Sequence, residues 1–245
     1  MTPKHYQFLI DAAGLDLAKT PLEVAPASHY QCGGIFINEK GQTTVGGLFA
    51  CGEAAGNFQG ANRLAGSALC DTQTTGAAAG ACAADEAKKK DLIPPDEKDL
   101  NEAYEIIDMV TASKSKKIKP IAVKTEILET MDKYIAPFRD GKNMEKGLSI
   151  IRGLKEELSN MYAPDFSRYN LEITEAIEAK LMVDAAELTF GSAMFRTESR
   201  GHHNRTDYPD EDNKNWRCHT IVKNKDGRAT YSKKDVIYTR MKPED

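Results

Sequence analysis

The sequence predicts an α+β protein: a glycine-rich first third with short strands, then a run of amphipathic helices, then a β-rich tail. Three observations carry that prediction. Glycine pairs at Gly33–Gly34 and Gly46–Gly47 bracket short apolar runs, the texture of strands joined by tight turns. Between Pro95 and Arg196, apolar residues recur at helical spacing. Beyond Asn215, two β-rich runs flank Asn224-Lys225-Asp226-Gly227, a sequence suited to a hairpin turn. The 245 residues suffice for one or two hydrophobic cores, and the divisions expected are 1–93, 94–200 and 201–245.

In chain order, Tyr6, Phe8, Leu9 and Ala12 or Ala13 predict a short helix that Gly14 closes. A strand over 35–38, a turn over 39–42 and an extended run over 43–45 follow, and 48–51 has the small apolar look of a buried strand. Residues 67–90 form one alanine-rich helix. Gly76 and Gly80 leave it bare enough to lie against another backbone. The Pro94–Pro95 pair ends that region. Three or four helices are then expected. Over 96–113 the apolar face is Leu100, Tyr104, Ile107 and Val110 or Thr111. Over 120–138 it is Ile121, Thr125, Leu128, Met131 or Asp132, and Ile135. Over 142–161 it is Leu148, Ile151, Leu154 and Leu158, and the fourth helix spans 171–195. These faces read as the core of a small bundle. The charged, His- and Gly-bearing stretch 196–210 is expected to be a loop.

A net charge of −4 gives no general attraction to nucleic acid or to an anionic membrane surface. The most apolar stretch, 61–84, is broken by Arg63 and Asp71, so no direct membrane insertion is expected. No signal-peptide pattern opens the chain, and a cytoplasmic location is expected. The five cysteines include no C-x-x-C pair; they are expected to be buried thiols, with no disulfide framework or metal site.

Three clusters carry chemistry. In His29-Tyr30-Gln31-Cys32-Gly33-Gly34, two glycines after an imidazole let the backbone approach a flat ligand closely; the alternative is a histidine at a strand end. In Gly46-Gly47-Leu48-Phe49-Ala50-Cys51-Gly52-Glu53, an acid directly follows an apolar run, where it can accept from ribose-type hydroxyls or act simply as a turn acid. In Gln59-Gly60-Ala61-Asn62-Arg63-Leu64, a lone cation sits among small and apolar residues. Its burial requires an anionic partner, either a carboxylate ligand or a structural acid. The helix that begins near Ser67 points free N–H groups forward.

In this order the clusters resemble the flavin-binding C-terminal part of the fumarate reductase/succinate dehydrogenase flavoproteins, a family that also includes L-aspartate oxidases. Glu187 to Gly201, with Asp207-Tyr208-Pro209 beyond, resembles that family's C-terminal helical domain. The resemblance implies a partial FAD-binding α/β domain lacking its N-terminal dinucleotide-fold portion, followed by a helical bundle and a C-terminal hairpin tail. It implies that His29 and Arg63 bind a dicarboxylate and that Glu53 hydrogen-bonds FAD. Ser67, Ala68 and Leu69 would offer backbone groups to the flavin. Arg200, His202 and His203 would lie in a loop near the flavin domain, with no chemistry assigned to them.

The activity implied is FAD-dependent interconversion of fumarate and succinate or a related dicarboxylate. No catalytic set is complete in this chain, and activity is expected to need a partner chain or segment carrying the N-terminal FAD-binding and capping domains. The other implied partner is an iron–sulfur electron-transfer subunit, through which the chain would lie peripheral to a membrane. Gln59 stands where many members have histidine, which leaves the substrate open. Two alternatives remain: a non-catalytic assembly protein that keeps the fold without flavin, and an L-aspartate oxidase-like or other flavin-dependent reductase.

Overall fold

A computed structural model describes residues 3–25, 27–112, 118–164 and 168–241. Helix α1 (Pro3–Ala13) stops at Gly14, whose φ of +65° no residue with a Cβ adopts easily. Strand β1 (Ile35–Phe36) then pairs in parallel with β2 (Ala55–Gly56). Glycines permit this close approach. A Cβ on Gly34 would meet the Ala54 carbonyl, and one on Gly56 would lie 2.8 Å from the Gly34 nitrogen. Asn57 extends the pairing with its side chain: its Oδ1 accepts from the Ile37 N–H and its Nδ2 donates to the Ile37 carbonyl, each at 3.0 Å. Ile37, Ala50 and Ala55 form a small core beneath.

The extended run at 43–45 and the buried strand at 48–51 are not found as strands. Only an antiparallel bridge between Gln42 and Phe49 joins these segments, and Val45 and Leu48 are about half exposed. Among the described residues no strand lies alongside 48–51, and an apolar run without a ladder partner stays irregular. Helix α2 (Ser67–Ala87) does lie close against another backbone, but not through Gly76 or Gly80, which face open space. The close approach is at Ala79, whose Cβ would lie 2.5 Å from a Cβ placed on Gly41.

Helices α3 (Glu97–Thr111), α4 (Pro120–Tyr134), α5 (Gly141–Glu157) and α6 (Leu171–Phe195) enclose the main core. The expected end of α3 at Ser113 lies outside the described residues. Local chemistry sets the helix starts: Asp96, Asp140 and Asn170 cap α3, α5 and α6 through side-chain oxygens, and Pro120 opens α4. On α5 the expected face is the buried one: Leu148, Ile151, Leu154 and Leu158. On α4 it is not. Val123, Ile127 and Thr130 are buried, whereas Ile121 and Leu128 are 50% and 59% exposed. Both stripes are spaced for a helix face, and the helix turns the one with β-branched Val123 and Ile127 toward α5 and α6. On α3, Val110 is sealed but Leu100 and Tyr104 stay open. Helix α6 presents Ala176, Ala179, Val183, Ala186, Phe190 and Ala193, mostly small side chains that let its neighbours come near.

Between α4 and α5, β3 (Phe138–Arg139) pairs in parallel with β4 (Asn204–Arg205), tying the loop after α6 to the bundle. After α7 (Asn213–Trp216), β5 (Cys218–Lys225) and β6 (Arg228–Asp235) form the expected hairpin. Its two turn residues, Asp226 and Gly227, have φ of +53° and +77°, and the Asn224 carboxamide oxygen accepts the Gly227 N–H at 2.9 Å. The hairpin docks on α6 through Tyr231, which stacks on Phe195 with ring centres 6.0 Å apart. The cysteines depart from expectation: none is buried, and Cys51 and Cys70 are exposed.

Candidate functional site

The three sequence clusters meet at the short parallel pair. Residues 29–34 run into β1, and the turn before β2 holds Glu53 beneath them. One carboxylate oxygen of Glu53 accepts the Gln31 backbone N–H at 2.8 Å, joining the first cluster to the second. The other accepts no hydrogen bond from the described residues. The Gly52 N–H donates to the Thr75 hydroxyl at 2.8 Å, which fixes this turn on the side of α2.

Arg63 joins the third cluster to the first. Its guanidinium lies over the Tyr30 ring, 4.4 Å from the ring centre, directly beside His29 in sequence. Its Nη1 donates to the Leu64 carbonyl at 3.3 Å, and its Nε is buried with no hydrogen-bond partner among the described residues. No acid among the described residues forms an ion pair with it. A cation with a buried, unsatisfied donor is costly in a closed protein, so the arrangement favours an anionic ligand that supplies the missing acceptor. The His29 ring is exposed and receives no hydrogen bond from described residues. Partial burial, with the charges of Asp71, Glu53 and Cys32 adding to it, pushes the Tyr30 phenol up from its ordinary range, and the Arg63 charge opposes the shift.

The start of α2 lies a few residues beyond. Gly66 precedes it at φ +83°, without a side-chain cap. The Ser67 hydroxyl donates to the Leu64 carbonyl at 2.8 Å and approaches the Gln59 carboxamide oxygen at 3.4 Å. Leu69 is 77% exposed. Hydrogen bonds and ring contacts thus link His29's neighbour Tyr30 with Arg63, and Glu53 with Gln31. No such contact joins Ser67, Ala68 or Leu69 to those four.

Two contributors were not legible beforehand, and of a third only its place near the flavin domain was expected. Tyr30 supplies the face under the guanidinium, and Asn57 fixes the strand that carries the glycines. Asn57 carried one faint signal: at φ +69° it occupies a conformation that favours Asn among non-glycine residues, and it follows Gly56. The third is the loop after α6. Glu198 there is fully buried and accepts from both arms of the Arg200 fork at 2.8 and 2.9 Å, from Arg196, and from the Asp212 N–H at 2.9 Å. Burial alone would raise its carboxyl, but the Arg200 and Asp212 hydrogen bonds and the Arg196 charge bring it below its ordinary value. Arg205, 3% exposed, pairs with Asp207 through two 2.7 Å bonds and donates to the Ala193 and Arg196 carbonyls at the end of α6. Alternating charges at 196, 198, 200, 205 and 207 were visible in sequence, but nothing there distinguished a buried network from a solvated loop. None of the described His, Cys, Asp or Glu residues group as a metal site.

Comparison with known proteins identifies the family of the chain. Residues 3–69 match the FAD binding domain family, and residues 124–245 match the family of the fumarate reductase flavoprotein C-terminus. A fumarate reductase (CoM/CoB) polypeptide of Methanothermobacter marburgensis is 36% identical over 212 residues, 86% of this chain and 38% of that protein. The succinate dehydrogenase flavoprotein subunit of Coxiella burnetii is 34% identical over 237 residues, 89% of this chain and 39% of its own length. Among solved structures, a FrdA variant of E. coli quinol fumarate reductase superposes with a TM-score of 0.86 at 25% identity, over 99% of this chain and 43% of that one. The Sdh1 complex of Mycobacterium smegmatis gives 0.86 at 28% identity, over 97% and 41%. The chain therefore spans about two fifths of the length of the relatives it matches.

Proposed function

Because this chain belongs to the fumarate reductase/succinate dehydrogenase flavoprotein family, we propose that it forms the substrate-clamping part of an FAD-dependent oxidoreductase interconverting fumarate and succinate or a related dicarboxylate. FAD is the cofactor the matched segment serves, and when bound it supplies the two-electron chemistry. The single observation that carries the reading is Arg63: a half-buried guanidinium, stacked on Tyr30 next to His29, with an orphaned Nε and no neutralising acid among the described residues.

The residues present fit both ligands. Glu53 keeps one carboxylate oxygen free to accept from a nucleotide hydroxyl while Gln31 holds the other. The uncapped start of α2 offers the Ala68 and Leu69 backbone N–H groups and the positive helix end to a ring that carries negative charge, whereas the Ser67 N–H, expected to join them, is taken by the Leu64 carbonyl at 3.2 Å. Arg63 binds one carboxylate of the diacid in a fork, and His29 binds the other. Two points of contact orient a small diacid and polarise it, which is positioning plus electrostatic stabilisation of developing charge. No proton donor is assigned among the described residues. Activity then depends on a second portion bringing the remaining FAD-binding and capping elements, with an iron–sulfur protein for the electron partner.

The test is binding measured on the assembled flavoprotein. A yellow complex whose flavin spectrum shifts on titration with succinate or fumarate, and not with L-aspartate, is the expected result. A response to L-aspartate alone assigns the oxidase-like chemistry instead. A stable assembly that never retains FAD overturns the catalytic reading in favour of an assembly role.

A further inference from the structure

The backbone two residues before Arg63 is held from outside its own loop. The His202 N–H donates to the Ala61 carbonyl at 3.1 Å. Beside it, Gly201 sits at φ +58°, and a Cβ there would strike that same carbonyl oxygen and lie 2.6 Å from its carbon. Only glycine lets the two backbones touch in this way. The turn is closed on itself, with Arg200 N–H to the His203 carbonyl at 2.8 Å and His203 N–H to the Arg200 carbonyl at 3.0 Å. It is also anchored behind. The Arg200 fork grips buried Glu198, and Arg139, on β3, donates from Nη2 to the His202 carbonyl at 3.2 Å. A continuous set of hydrogen bonds thus runs from the helical bundle to Ala61.

Arg63 needs such support. Its own polar contacts are one bond to the adjacent Leu64 carbonyl and one ring face, neither of which fixes where the guanidinium stands. A clamp on a small diacid must hold its geometry to within about 0.5 Å, and a misplacement of about 1 Å can cost on the order of a hundredfold in rate.

We propose that the Gly201–His202 turn is a positioning element for Arg63: seated on Ala61, it sets the backbone from which the guanidinium reaches the diacid. The turn acts through Arg63 and touches no substrate. This inference rests on Arg63 being the diacid clamp.

The assembled flavoprotein carrying Gly201→Ala tests it, with kinetics on fumarate and with hydrogen exchange of the amides over 59–66. The expected result is a KM raised at least about tenfold, faster exchange over 59–66, unchanged exchange in α4, α5 and α6, and retained flavin absorbance. A variant that merely lowers the folded fraction reduces kcat and leaves KM alone. Should Gly201→Ala not assemble, Arg139→Gln replaces it, because it removes the bond onto the His202 carbonyl, and the same direction of change is expected. Unchanged KM and unchanged 59–66 exchange overturn the proposal even where Arg63→Ala abolishes turnover. If Arg63→Ala leaves turnover intact, the diacid reading fails, and the exchange at 59–66 still decides whether the turn holds this backbone.

Discussion

Arg63 is the residue on which the proposed chemistry turns, and its environment sets the size of the expected effect. A carboxylate held by a forked guanidinium in a partly dry site exchanges two charge-assisted hydrogen bonds with it. Arg63→Ala in the assembled flavoprotein is expected to lose at least ~3 kcal/mol of transition-state binding while flavin stays bound. Arg63→Lys is not expected to rescue it, since an ammonium offers no planar fork. Turnover within a few-fold of the parent in either variant makes Arg63 a structural residue. Glu53→Ala should act on the other ligand: FAD retention after dialysis falls more than diacid affinity does, and the reverse order would reassign this acid. The clusters around both residues were legible because chemistry concentrates rare residue types, a lone cation and an acid among glycines. Tyr30 was not, because a ring under a guanidinium depends on two loops meeting, which no local pattern encodes.

Two groups of the loop after α6 give a pH dependence with a definite sign. Burial, reinforced by the charges of Arg139, Arg205 and Arg196 and opposed by the hydrogen bond its ring makes to the Arg196 carbonyl, lowers the His203 imidazole from 6.5 to about 4. Below pH 6.5 the unfolded chain therefore takes up a proton that the folded chain refuses, so stability is full above 6.5 and falls toward pH 4. The loss is about 2 kcal/mol after allowance for the ring's residual exposure. The Arg205 fork holds Asp207 at about 2, below its ordinary 3.8, so its contribution is present above 3.8 and disappears as pH falls through 2. Urea midpoints measured from pH 8 to pH 4 should decline below 6.5, and His203→Gln should flatten that decline. A parent curve already flat in this interval contradicts the burial of a neutral ring.

At the level of elements, the crossing of α5 with α4 and α6 is set by one missing side chain. A Cβ on Gly147 would lie 2.5 Å from the Phe190 ring and 2.7 Å from the Tyr134 Cβ. Rigid ring and backbone-proximal atoms cannot yield, so Gly147→Ala is expected to destabilise by about 1–3 kcal/mol despite its better helix propensity. Chemical denaturation reads this directly, and a neutral or stabilising result would show that the helices can separate there at no cost. Helices were the legible part of the fold because periodicity is local, as is the 226–227 turn that marks the hairpin. What failed was relational. The sequence of α4 has two apolar stripes, and only the position of α5 and α6 decides which is buried. The run at 48–51 has strand composition, but a strand is a property of a pair.

For the whole molecule, exposure separates the chain into unequal parts. A compact monomer of 27.0 kDa presents about 10,800 Å² to water by surface scaling, whereas this chain presents 17,506 Å². The helices enclose the main core, whereas the first third has only the small one of Ile37, Ala50 and Ala55. Val110, Val123, Met144, Ile151, Val183 and Phe190 in the helical core are sealed to 2% or less, while Leu48, Leu64 and Leu69 stand 48%, 79% and 77% open. Apolar surface of that kind is covered in stable proteins, either by more of the same assembly or by self-association. The chain on its own should therefore behave as two stability classes. Amides of α4, α5 and α6 are expected to exchange only by cooperative unfolding, and those of 35–66 by local opening that is orders of magnitude faster. Addition of the complementary flavin-domain portion with FAD should slow the 35–66 class and leave the helical class nearly unchanged. Uniform protection across both classes in the isolated chain would mean that the first third already has its packing partners, and the dependence on a second portion would be lost with it.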